Sequence, residues 1–138
     1  MDVRTLLPSH EAMFGWNTPW IEQSPMTSVK VLWVGRETGA WASLHLWKAG
    51  FVAKRHKHLA AAHVFVVSGK MASGDVVMTA GDYIYEPSGV MHEATRAIED
   101  TVHLIIPQGP IALLDDKDAI TTIVDWEVME KLRQSHTT

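Results

Sequence analysis

The feature that most limits what this chain can fold into is a rhythm. From Val29 to Val124, short β-rich runs alternate with joints that mostly hold Gly39, Gly50, Gly69, Gly74, Gly81, Gly89 and Gly109. Val29 to Val34, the turn Arg36-Glu37-Thr38-Gly39 and the run Ala40 to Trp47 read as a hairpin. In its second arm Trp41, Ser43, His45 and Trp47 share one face, and Ala42, Leu44 and Leu46 share the other. Further strands are expected over 51–58, 63–67, 75–78, 82–85, 92–95, 101–106, 111–114 and 119–124. So many short strands predict an antiparallel sandwich or barrel.

The ends differ from this middle. Pro8, Pro19 and Pro25 interrupt any periodicity in residues 1–28, yet Phe14, Trp16, Trp20 and Ile21 are too apolar for a free tail. This irregular arm is expected to pack across the barrel or against a second copy, which makes a homodimer the expected assembly. After the barrel, expected over 29–124, the period changes: Asp125 can cap a helix over Trp126 to Gln134, within the terminal segment 125–138. There Trp126 and Met129, with Val128 and Leu132, make an apolar flank. At 138 residues without an evident linker, the chain reads as one domain.

Composition removes several classes of function. The 46% hydrophobic and 20% charged residues are an ordinary globular balance. No run approaches the roughly 18 apolar residues of a spanning helix, and the start lacks a secretion signal's apolar core, so a soluble, cytoplasmic protein without membrane contact is expected. A net charge of -4 argues against nucleic acid and leaves a small molecule as the expected partner. Without cysteine, any metal must be held by nitrogen or oxygen.

That points to His56-Lys57-His58. Residues i and i+2 of a strand project to one side about 7 Å apart, so His56 and His58 can aim at one point while Lys57 faces away. Alone, the pattern fits a solvent-facing edge strand better than a metal site. His92 changes the balance, because Pro87 and Gly89 form a tight turn that delivers it back toward the sheet.

Gly50, five residues, His56-Lys57-His58 and later Gly69 resemble the first motif of the cupin superfamily. Gly81, five residues, Pro87-Ser88-Gly89 and, two residues on, His92 resemble the second. The resemblance covers nearly everything after Val29. It implies an RmlC-like cupin: an all-β, small double-stranded β-helix or jelly-roll barrel, here with a short C-terminal helix, holding a divalent metal on His56, His58 and His92. Two departures stand out. The glutamate that usually follows the second histidine is replaced by Ala62, and the asparagine that closes the second motif by Arg96. Three histidines without a carboxylate resemble the branch that contains acetylacetone dioxygenase and dihydroxyacetophenone dioxygenase. Stretches 58–70, 81–87 and 109–115 share that likeness.

The resemblance implies iron(II) and cleavage of a carbon-carbon bond in a diketone or hydroxyketone bound as its enolate. Three neutral imidazoles would leave the ion's 2+ charge uncompensated, which favours an anionic chelate. Zinc, nickel or copper can occupy such a site in purified protein. Imidazoles coordinate only when neutral, so affinity should fall toward and below about pH 6.5. Two other readings are a non-catalytic metal- or small-molecule-binding cupin that senses or regulates, as in some anti-sigma factors, and a zinc-dependent lyase or hydrolase using Tyr83 or Tyr85. His63 reads as a packing or supporting histidine, with a fourth ligand as the alternative despite its opposite parity to Ala62, and His45 and His103 read as interior or partly exposed histidines rather than ligands. Glu86 falls beside the Pro87 turn, and neither it nor Glu93 is assigned as a general base.

Overall fold

The computed structural model describes residues 13–15, 18–92 and 95–135, without the side chain of His92. Its strands are β1 (Ile21–Ser24), β2 (Thr27–Val34), β3 (Trp41–Trp47), β4 (His56–His58), β5 (Ala62–Ser68), β6 (Lys70–Ser73) and β7 (Val76–Thr79). They continue as β8 (Tyr83–Glu86), β9 (Met91–His92), β10 (Thr95–Ala97), β11 (Thr101–Pro107), β12 (Ile111–Leu114) and β13 (Ile120–Val124), followed by helix α1 (Trp126–Ser135). They form a six-stranded sheet, β1-β2-β3-β11-β5-β8, a four-stranded sheet, β13-β12-β4-β9, and a three-stranded sheet, β10-β6-β7. The fold is all-β, a jelly-roll arrangement of sheets with one short C-terminal helix.

Register decides what faces inward. Directly opposed residues of an antiparallel ladder project to the same side. Val29, His45, His103 and Val66 therefore form one row across the large sheet, and Val31, Ser43, Ile105, Val64 and Ile84 the next. Val29, Val31, Val64 and Val66 are buried, while Phe65 and Val67, of opposite parity, are exposed. The face expected to group Trp41, Ser43, His45 and Trp47 is the inward one. In α1, Asp125 Oδ1 accepts a hydrogen bond from Val128 N (3.0 Å), and Met129 completes a core with Ile21, Val29, Val31 and Trp41. Trp126 and Leu132 pack on that core while Val128 is exposed, so the apolar flank runs through Trp126, Met129 and Leu132. Glu130 bonds Arg36 and Arg133 and ties the helix to the β2–β3 turn.

Several boundaries differ from the sequence reading. The segment expected to be irregular through residue 28 contributes β1, bracketed by Pro19 and Pro25 and paired with β2. Residues 51–58 yield only His56–His58 as strand, with an isolated bridge between Val52 and Arg96. The expected strand 92–95 divides into β9 and β10, which join different sheets. Strand β6 went unexpected because its four residues lie between Gly69 and Gly74. Gly69 itself has φ +87°, and a Cβ there would collide with the Asp100 carbonyl oxygen, so this joint requires glycine.

Candidate metal centre

Strand β4 lies between β12 and β9, with His58 opposite Ile111, and His56 opposite both Leu113 and His92. The Pro87–Gly89 turn is stitched to β4: Gly89 N donates to the His58 carbonyl (2.7 Å), His58 N to the Val90 carbonyl (3.1 Å), and Ser88 Oγ to the Leu59 carbonyl (3.0 Å). The expected turn thus brings the backbone of His92 directly across from His56. The His92 side chain lies outside the described residues.

The rings of His56 and His58 have centroids 5.3 Å apart and are inclined at 75°. His56 Nδ1 lies 2.8 Å from the Lys54 carbonyl oxygen. A carbonyl only accepts, so Nδ1 carries the proton and, in the neutral ring, Nε2 keeps the lone pair. That is how a metal-binding imidazole is usually oriented. His58 is 1% exposed, and its Nε2 lies 2.7 Å from Glu86 Oε2. This contact was not legible in the sequence. Glu86 ends β8, faces inward with Ile84, and stands directly opposite Ala62, the position where a cupin glutamate is missing. A carboxylate absent from one strand is present on its neighbour.

The donor chemistry fits a divalent cation. Two ligands held cis at about 2.1 Å are about 3 Å apart, close to the observed Nε2–Oε2 separation. Among the described residues, no three His, Cys, Asp or Glu side chains form a complete metal-holding group. Of the three histidines expected from the sequence, His56 and His58 lie on one strand and the backbone of His92 lies opposite His56.

Other sequence candidates go elsewhere. His63 lies on the outer face, its Nδ1 2.5 Å from the Tyr83 hydroxyl, and its ring is 5.4 Å from that of Tyr85. Both tyrosines are exposed and of opposite parity to Glu86, so His63 and the two tyrosines stand apart from the His58–Glu86 contact. His45 and His103 face the interior. Burial pushes His45 down to about 4. It pushes His103 to about 3, helped by neighbouring His45 and opposed by the Glu86 charge.

Residues 11–112 match the family model described as the ChrR cupin-like domain, and the chain belongs to that cupin family. Its structure is similar to an RmlC-like cupin from Ralstonia eutropha JMP134, with a TM-score of 0.85, 26% identity, and coverage of 95% of this chain and 90% of the other. It is also similar in fold to an acetylacetone dioxygenase from Acinetobacter johnsonii, with a TM-score of 0.79, 19% identity, and coverage of 94% and 92%. No curated protein sequence matches the chain. Among the described residues, no helix is long and apolar enough to cross a membrane.

Proposed function

We propose that the protein is a metal-dependent dioxygenase that cleaves a carbon-carbon bond of a diketone or hydroxyketone chelated as its enolate, with the metal on His56, His58 and His92. The observation that carries this reading is the buried contact between His58 Nε2 and Glu86 Oε2, beside a correctly oriented His56 and across from the backbone of His92. Similarity in fold to an acetylacetone dioxygenase supports it. When bound, iron(II) supplies Lewis acidity toward an enolate's oxygens and electrons for dioxygen.

The chain's own residues supply the rest. His56 is held in one tautomer by the Lys54 carbonyl. Glu86, only 13% exposed at its side chain, is placed to take the acidic proton from the substrate's α-carbon at Oε2, converting ketone to enolate. The nearby carboxylate also offsets part of a cation's charge, so proton removal, rather than charge attraction alone, favours the anionic substrate form. The family's association with ChrR supports a second reading, a non-catalytic metal-binding module.

Iron-reconstituted protein should consume oxygen when offered a panel of diketones and hydroxyketones, and His92→Ala should abolish both stoichiometric metal and oxygen uptake. A panel that leaves oxygen untouched favours the binding module, and activity retained by His92→Ala removes the proposed ligand set.

A further inference from the structure

The interior holds a second histidine group. His45 and His103 are direct cross-strand partners, with rings stacked 5.3 Å apart at 11°. Trp47 meets the His103 ring edge-on at 4.6 Å. Ring nitrogens lie in the plane of the ring, so two parallel rings direct their lone pairs side by side rather than to one point, and the pair is no chelate. Ser43 Oγ lies 3.1 Å from His45 Nε2. His103 Nδ1 is enclosed and has no hydrogen-bond partner among the described residues. Leaving such a nitrogen unsatisfied costs stability, which a ligand's hydrogen bond would recover.

His45, the stacked partner of His103, is less enclosed and keeps partial accessibility. Through the rows that pair Val64 with Ile84 and Ala62 with Glu86, the Glu86 carboxylate that touches His58 projects from the same face of the large sheet as His103, so this wall and the candidate metal centre share one interior.

We propose that the His45–His103 pair is the second recognition element of that interior, hydrogen-bonding an uncharged hydroxyl or carbonyl oxygen at the end of the substrate remote from the chelating oxygens. The inference rests on the enolate reading above and extends it to substrate class. Burial disfavours the imidazolium form, so the wall offers no cation to a carboxylate. Each neutral ring carries one N–H and one lone pair, which suits a hydroxyl as donor and acceptor. Trp47 and Val66, which pack together beside the pair, supply an apolar flank for the substrate's carbon skeleton.

The test compares two probes on zinc-loaded protein: acetylacetone and acetylacetone bearing one terminal hydroxyl. Calorimetry should show the wild type binding the hydroxylated probe at least about tenfold more tightly. In His103→Phe the preference should vanish while acetylacetone affinity and metal content stay unchanged, and His103→Asn should retain part of it. Ring-nitrogen NMR shifts of His103, which need no variant, should move further with the hydroxylated probe. A wild type that binds acetylacetone but shows no preference overturns this inference alone. Equal loss of both probes in His103→Phe, with metal intact, also overturns it. A zinc-loaded wild type that binds neither probe overturns the enolate reading first and this one with it.

Discussion

Two histidine pairs in one barrel have opposite characters. His56 and His58 sit two apart on a short strand, rings steeply inclined, one oriented by a backbone carbonyl and the other touching a carboxylate. His45 and His103 sit opposite each other on long strands, rings parallel, packed by Trp47. Burial does not separate them, since His58 and His103 are both nearly inaccessible. What separates them is ring geometry and the kind of oxygen nearby: inclined rings beside a backbone carbonyl and a carboxylate suit a cation, whereas parallel rings beside a serine hydroxyl and an indole make a neutral polar surface.

The largest expected effect breaks the pairs apart directly. His58→Ala should lose stoichiometric metal while His45→Phe keeps about one equivalent, measured by elemental analysis. Equal retention would erase the distinction. Next, Glu86→Gln keeps shape but removes the proton acceptor, and oxygen uptake should fall by about a hundredfold or more with metal content unchanged. If metal and rate fall together, Glu86 is a ligand rather than a base.

A third measurement uses pH. Both interior histidines have folded pKa values below the ordinary 6.5. Below about pH 6.5 the unfolded chain therefore takes up protons that the folded chain refuses, and stability falls on acidification. Each histidine contributes a slope of about 1.4 kcal/mol per pH unit until its folded pKa, near 4 or 3, is reached. Urea midpoints at pH 7 and pH 5 should differ less for a doubly substituted His45→Phe, His103→Phe protein than for the wild type. An unchanged difference would mean the pair is not held neutral. The smallest effect belongs to the outer face: His63→Phe should leave metal content unchanged and stability within about 0.5 kcal/mol.

These contrasts also explain what the sequence could disclose. The His56 and His58 spacing, the turn at Pro87–Gly89 and the division of β3 into two faces were legible because each depends on residues near in sequence, whereas which face turns inward was not. The Glu86 contact was not, because it follows from the pairing of β8 with β5 and the packing of that sheet against β4. His45 and His103 are 58 residues apart, and only the β3–β11 register makes them neighbours. The arm's strand was hidden by its prolines, and β6 by its brevity. Local pattern specified the elements, while the long-range ladder composed the interior.

Strand β8 ends the large sheet, bonded to β5 along one margin only. Its final residue reaches His58 in the smaller, facing sheet. A cation on His58, with the Glu86 carboxylate beside it, would tie a border of one layer to a middle strand of the other by charge. Loading should then slow amide exchange along β8 more than along the already flanked β11, so occupancy would govern how readily the barrel parts at that seam.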